Sequence, residues 1–108
     1  MTEIKGVKGI VSFSEVRGFS NPFETEKVAR LDEYINKRIL IKDFKIEEGE
    51  NFNFVFILAI DPETKEEITL RTTSRVIEKQ LRQIEKYLKE GMAVEATVRK
   101  RKRYLTFE

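Results

Sequence analysis

The feature that most constrains the fold of this chain is an apolar stretch near its middle. The stretch runs Asn51-Phe52-Asn53-Phe54-Val55-Phe56-Ile57-Leu58-Ala59-Ile60. Its aromatic and β-branched residues favour a pleated strand over a helix. Because both faces of that strand carry large apolar groups, the strand is either buried on both sides or has one face reserved for a ligand.

Composition removes several classes of chemistry from this 108-residue chain. The chain contains no cysteine and no histidine, so it has no residues for disulfides, thiolate metal sites or Ser-His and Cys-His nucleophile pairs. Asp61 and Glu63 lie close enough in sequence to suggest a magnesium site, but a turn around Pro62 explains both residues. We therefore predict that the protein is not an enzyme and uses no cofactor or metal.

Charge and hydropathy indicate a soluble protein. Charged residues make up 37% of the chain, yet the net charge is only +2, so basic character matters only where it is clustered. No apolar run reaches the length of a membrane span, and the N-terminus lacks the apolar core of a signal peptide. We predict a cytoplasmic protein with no membrane partner, and the Lys/Glu-rich composition suits a thermophile.

Residues 1–36 are predicted to form an N-terminal arm and a short helix that pack on the rest of the protein. Glycines interrupt residues 1–20, which argues against one continuous element. Pro22 follows Ser20-Asn21 in the manner of a helix start. Apolar residues then recur at helical spacing as far as Asn36, namely Val28, Leu31 and Ile35.

Residues 37–108 are predicted to form the main domain, with five strands and one helix. The elements in chain order are strand 38–46, the Phe-rich strand, strand 66–72, helix 74–90, strand 92–100 and strand 104–107. Three strands, a helix and two strands is the element order of the OB-fold, a mainly-β Greek-key barrel of five strands with its helix between strands 3 and 4. An open sheet with both helices on one face, an α+β sandwich, is the alternative.

The chain resembles a family, the small OB-fold single-stranded DNA-binding proteins of viruses and thermophilic microbes. The resemblance covers Ile39 to Phe107 and is carried by three segments: Ile41-Lys42-Asp43-Phe44, Leu70-Arg71-Thr72-Thr73-Ser74 and Arg103-Tyr104-Leu105-Thr106-Phe107. It implies single-stranded DNA as the ligand. The chain departs from bacterial-type members in lacking an acidic C-terminal tail, and because it has no Trp, stacking would fall to Phe and Tyr.

A basic run is the strongest functional signal in the sequence. Arg99-Lys100-Arg101-Lys102-Arg103 precedes Tyr104 and falls in the turn between the last two predicted strands. Like charges this close repel one another, and a polyanion removes the conflict through phosphate contacts and counterion release. A solvated hairpin is the alternative, but basic clustering beside aromatic residues is typical of nucleic-acid binding.

The first two strands of the main domain predict an aromatic face. If their hairpin turns symmetrically about Gly49, one face is the barrel interior, with Ile39, Ile41, Val55, Ile57 and Ala59. The opposite face then carries a stacking platform of Lys42, Phe44, Phe52 and Phe54, while Phe56 is predicted to be core. Stacking of bases on such rings is indifferent to sequence. The alternative is that most of these Phe side chains are core.

Arg71 and Arg75 bracket the predicted start of the helix. Arg71 alternates with the apolar residues of its strand, so its side chain is expected to point outward, where it can meet a phosphate. Backbone N–H groups at the helix N-terminus can also bind an anion. Helix capping explains the intervening Thr72-Thr73-Ser74 equally well.

The sequence therefore predicts sequence-tolerant binding of single-stranded DNA. RNA is the nearest alternative ligand. A protein-interaction module that forms a homodimer through the exposed Phe patch is a second alternative, and a small metal-dependent nuclease ranks third. The predicted nucleic-acid-binding residues are Lys42, Phe44, Phe52, Phe54, Arg71, Arg75, Arg99, Lys100, Arg101, Lys102, Arg103 and Tyr104.

Overall fold

Residues 22–108 are described by the structure, a computed structural model, and they form a mainly-β unit with one α-helix. The arm predicted for residues 1–20 lies outside the described residues. The elements are β1 (Lys27–Arg30), a 3-10 helix (Leu31–Tyr34), β2 (Arg38–Glu47), β3 (Phe54–Ile60), β4 (Glu67–Thr72), α1 (Arg75–Lys89), β5 (Val94–Arg101) and β6 (Tyr104–Phe107). No helix within residues 22–108 is long and apolar enough to span a membrane.

The strands form one open sheet in the order β1-β4-β3-β2-β5-β6. The pairing is antiparallel except between β1 and β4, which run parallel. The mainly-β class predicted from the sequence is therefore confirmed. A pairing of β4 with β6, which would close a five-stranded barrel, is not among the strand pairs of residues 22–108, because β1 occupies the outer edge of β4.

The helix predicted near the N-terminus is wrong for residues 22–36. Lys27–Arg30 is a strand paired with β4, and a 3-10 helix follows it. Of the residues taken as one apolar stripe, Leu31 is fully buried, whereas Val28 is 46% exposed. Pairing with β1 satisfies the backbone N–H and C=O groups along the outer edge of β4, which a helix would leave unpaired. The free energy gained from this pairing outweighs the local preference for a helix.

The hydrophobic core lies between one face of the sheet and α1. β2 and β3 contribute the residues predicted for the inner face, all of them buried: Ile39, Ile41, Val55, Ile57 and Ala59. Ile77 and Leu81 of α1 pack on them and are also fully buried. Burying a side chain of this size contributes about 1.5–3 kcal/mol, so this layer fixes the orientation of the helix.

The platform predicted from a symmetric hairpin is wrong for Phe44. The hairpin register pairs Phe44 with Ile57 instead of Phe54, and an irregularity in β2 between Ile41 and Asp43 places Lys42 in a bulge. Because one extra residue exchanges the faces of a strand, the ring of Phe44 turns inward and packs against the core. Lys42 lies far along the sheet from the basic hairpin and pairs with Glu67, with an Nζ–Oε1 distance of 3.5 Å.

A glutamine of α1 completes the free edge of β6. The Gln80 side chain donates through Nε2 to the carbonyl oxygen of Phe107 at 3.1 Å and accepts through Oε1 from the Phe107 N–H at 2.8 Å. Nearer the helix start, Ser74 Oγ donates to the carbonyl oxygen of Leu105 at 3.5 Å. These side chains take up backbone groups that a neighbouring strand would otherwise pair, and they tie the last hairpin to the helix.

Candidate nucleic-acid interface

A groove lies between the 3-10 helix on one side and the β5–β6 hairpin on the other. It consists of two adjoining depressions of about 310 and 480 Å³. The depressions share Asp32, Thr72, Thr73 and Leu105, so they form one continuous surface. We call this surface the groove below.

The end of β4 and the start of α1 form the floor of the groove. Ser74 caps α1 by accepting a hydrogen bond from the Ile77 N–H at 3.3 Å, and its own N–H donates to Thr72 Oγ1 at 3.2 Å. The bond from Ser74 Oγ to Leu105 connects this floor to the hairpin wall. Of the hydroxyl residues that the sequence left between capping and anion binding, Ser74 caps the helix and Thr72 accepts a hydrogen bond from the Ser74 N–H.

The groove is strongly cationic. Five basic side chains line it: Arg30, Arg71, Arg75, Lys100 and Arg103. Among residues 22–108, Asp32 is the single acidic residue that lines the two depressions, and it forms an ion pair with Arg30. The hydrogen bond to Asp32, together with the charge of that carboxylate, raises the pKa of Arg30, so Arg30 stays protonated at any ordinary pH.

Three of these cations have no counter-charge on the described part of the chain. Arg75, Lys100 and Arg103 take part in none of the ion pairs of residues 22–108. Arg75 is also the first residue of α1, where the unpaired N–H groups of the helix add partial positive charge. A groove with this excess of charge favours an anionic ligand.

Two aromatic rings lie beside these cations. Phe54, at the start of β3, is half-buried at one end of the groove, and Tyr104, at the start of β6, is 48% exposed at the other. Phe52 is 46% exposed and meets Phe54 edge to face, with ring centroids 5.2 Å apart. Arg75 lines both the groove and the depression beside Phe52, so Phe52 extends the aromatic surface past the end of the groove.

The basic run is divided by its pairing partners. Lys100 and Arg103 line the groove, whereas Arg99 and Arg101 both pair with Glu108. Arg99 holds Glu108 at 3.1 Å through Nε and the Asn36 side chain at 2.8 Å through Nη1. The sequence predicted that all five residues of the run contact the ligand, whereas the structure places only Lys100 and Arg103 in the groove. Lys102 is exposed in the turn between β5 and β6 and does not line the groove.

The structure thus brings part of the predicted site together and leaves part of it apart. Lys42 and Phe44 lie elsewhere, on the bulge and in the core. The predicted residues that line the groove are Phe54, Arg71, Arg75, Lys100, Arg103 and Tyr104. The sequence analysis missed Arg30 and Asp32, because it assigned both to a helix that only packs on the main domain.

The outer face of β3 and β4 is partly covered near the groove. Phe56 lies opposite Lys45 and Arg71 in the sheet and is only 2% exposed. The Phe23 ring lies 5.2 Å from Lys45 Nζ, and Thr25 Oγ1 lies 2.7 Å from Thr69 Oγ1. Residues 23–25, before β1, therefore lie across part of this face.

Comparison with known proteins found no match to this chain among protein families, curated proteins or solved structures. Within residues 22–108, no group of three or more Asp, Glu, His or Cys residues is placed to hold a metal ion. Beyond the groove, the nearby Tyr34 side chain raises the pKa of Lys27, whose Nζ lies 5.9 Å from the centre of the Tyr34 ring.

Proposed function

We propose that this protein is a non-enzymatic nucleic-acid-binding domain that holds single-stranded DNA in the groove with little dependence on sequence. The observation that carries the proposal is the combination of three cations without counter-charges and two aromatic rings along one groove. Phosphates are held by Arg75, Lys100 and Arg103, because charged donors bind phosphate oxygens most strongly. Bases stack on Phe54 and Tyr104, at about 1–3 kcal/mol per base.

We also propose that β2 to β6 and α1 form an OB-like Greek-key barrel. β2 pairs with both β3 and β5, as the first strand of an OB-fold does. In an OB barrel the strands equivalent to β4 and β6 would pair with each other. Here β1 pairs with the edge of β4, and the side chains of Ser74 and Gln80 bond to the edge of β6. OB-folds bind ligands along strands 2 and 3 and in the loops after strands 1 and 4. The groove includes Phe54 of β3, Arg71 of β4 and Arg103 of the β5–β6 turn, which correspond to three of those places, and it adds residues of β1, the 3-10 helix and α1.

Single strands are favoured over duplexes by the nature of the rings. Phe54 is half-buried between the groove walls, so its ring reaches only a base that has left its stack. RNA offers the same phosphates and bases, and discrimination between the two depends on how the 2′-hydroxyl is met. RNA therefore stays the alternative ligand.

The predictions of a homodimer, a cytoplasmic location and a thermophilic source have less structural support than nucleic-acid binding. Of the Phe patch proposed as a homodimer contact, Phe44 turns inward, and Phe52 and Phe54 are left. Homodimerisation through these two rings stays a prediction, and sedimentation without DNA tests it. A cytoplasmic location and a thermophilic source stay predictions from composition.

The hairpin offers a matched test of the proposal. Arg103→Ala and Lys100→Ala each remove a cation from the groove, whereas Arg101→Ala removes the same charge from a side chain paired with Glu108. Fluorescence anisotropy with a labelled thymidine oligonucleotide should show weaker binding for the first two variants and nearly unchanged binding for Arg101→Ala.

Binding measured at several salt concentrations separates phosphate contacts in the groove from attraction by the total charge of the protein. Each lost phosphate contact should reduce the steepness of log K against log salt by about 0.7 for a single strand. Equal losses for Arg103→Ala and Arg101→Ala would show that binding follows total charge and not the groove. Failure of the unaltered chain to bind single strands at low salt would end the proposal.

A further inference from the structure

Asp32 is the carboxylate in an otherwise cationic groove, and its position is held firmly. It lies in the 3-10 helix and lines both depressions. Its neighbour Leu31 is fully buried, and Tyr34, at the end of the same helix, is 5% exposed, so the helix is anchored in the core. The Asp32 side chain is 39% exposed and therefore accessible to a ligand in the groove.

Within residues 22–108, one carboxylate oxygen of Asp32 has no hydrogen-bond partner. Oδ2 accepts a hydrogen bond from Arg30, while no bond to Oδ1 is found within residues 22–108. A carboxylate repels phosphates, and the cations without counter-charges lie on the floor of the groove, at the start of α1, and on the opposite wall, in the hairpin. A bound strand therefore lies with its phosphates toward Arg75, Lys100 and Arg103 and its base edges toward Asp32.

We infer that Asp32 is a specificity-determining residue that selects guanine at one position of the bound strand. This inference rests on the proposed function. An ionised carboxylate only accepts hydrogen bonds, so it favours base edges rich in N–H donors. Guanine presents two neighbouring donors on its Watson–Crick edge, N1–H and the N2 amino group. Adenine and cytosine each present one amino group beside a ring acceptor.

Thymine is the base that Asp32 disfavours most. Its single N–H lies between two carbonyl oxygens, which repel a carboxylate. Binding at the other positions depends on stacking and phosphate contacts and stays tolerant of sequence. The order of preference at the Asp32 position is therefore guanine first, then cytosine and adenine, then thymine.

The test uses thymidine oligonucleotides that carry a single guanine, moved one position at a time. A single guanine avoids the self-association of guanine-rich strands. For the unaltered protein, one or two neighbouring positions should bind on the order of tenfold more tightly than the all-thymidine strand, in the range expected for recognition of a base edge. Inosine, which lacks the N2 amino group, should lose part of this gain at the same position.

Asp32→Asn and Glu33→Gln form a matched pair of variants. Both remove one negative charge from adjacent residues, but Glu33 accepts from the Arg30 N–H at 2.8 Å and does not line the groove. Asp32→Asn should lose the guanine preference and bind the all-thymidine strand more tightly, because it no longer repels phosphates or carbonyl oxygens. Glu33→Gln should keep the preference, and melting curves check that both variants fold.

The outcomes separate this inference from the proposed function. Binding of single strands with the same affinity for guanine and thymine at every position overturns the role of Asp32 and leaves the proposed function standing. A guanine preference that survives in Asp32→Asn, or is lost equally in Glu33→Gln, also overturns it. Absence of binding to every strand overturns both.

Discussion

Phe44 and Phe54 are both half-buried aromatic residues, but they lie on opposite faces of the β2–β3 ribbon. Phe44 packs against the core, and Phe54 lines the groove. We therefore expect Phe54→Ala to weaken binding of single-stranded DNA by about 1–3 kcal/mol for the lost stacking contact. Phe44→Ala should instead lower the melting temperature and spare the affinity of the folded fraction.

Binding isotherms and thermal melts of both variants check this prediction. The loss from Phe44→Ala should stay below the roughly 3–5 kcal/mol of a fully buried Phe, because Phe44 is only partly buried. A Phe44→Ala variant with normal melting and weak DNA binding would show that the ligand reaches the inner face, which this structure fills with aliphatic side chains.

The inward orientation of Phe44 could have been predicted from the residue types of β2, but the assumption of a symmetric hairpin gave the opposite face. Apolar residues occupy odd positions at Ile39 and Ile41 and even positions at Phe44 and Ile46. The two polar residues between these pairs, Lys42 and Asp43, mark the change of parity, and the structure places the bulge there. A change of parity within a strand indicates a bulge. The inner face of β3 needed no such correction, since its alternation is unbroken.

At the scale of elements, the joint between α1 and β6 depends on Gln80. Replacing this residue with Ala leaves the Phe107 N–H without its side-chain partner, while the Phe107 carbonyl keeps the Thr106 hydroxyl at 3.4 Å. An unsatisfied N–H costs about 1–3 kcal/mol when buried, and Phe107 is partly buried. Gln80→Ala should therefore lower the free energy of unfolding and loosen the hairpin that carries Lys100, Arg103 and Tyr104.

Gln83→Ala is the matched control, because Gln83 is an exposed residue of the same helix whose side chain forms no hydrogen bond within residues 22–108. Urea denaturation should show a loss for Gln80→Ala and almost none for Gln83→Ala. Hydrogen exchange of the Phe107 amide should quicken in the first variant alone. Equal stability of the two variants would mean that β6 is held by its pairing with β5 and not by the helix.

The element that the sequence misassigned is β1, and the reason is physical. The spacing of Val28, Leu31 and Ile35 fits a helix, and nothing local signals that Lys27–Arg30 pairs in parallel with β4. Parallel partners lie far apart along the chain, so their pairing depends on tertiary contacts that a local pattern does not carry. The same error removed Arg30 and Asp32 from the predicted site.

For the whole molecule, the antiparallel strands and the helix followed from alternation, turns and caps, whereas the arrangement at the open edge did not. The groove is assembled from β1, the 3-10 helix, β3, β4, α1 and the last hairpin. The cations of the groove come from segments that are far apart in the sequence, and only those of the hairpin are close enough together to be recognised there as a cluster. The paired Arg99 and Arg101 show the limit of that grouping, because consecutive strand residues point to opposite faces and meet different partners.

The net charge of +2 is too small to attract DNA by itself, so binding must follow the local field of the groove. With three phosphate contacts, the slope of log K against log salt for a single strand should be near −2, from about −0.7 per contact. Stacking does not release counterions, so part of the affinity should persist at high salt.

A duplex of equal length gains little from Phe54 and Tyr104 and should bind more weakly at every salt concentration. Equal affinity for the duplex across the series would leave a basic surface without a stacking site.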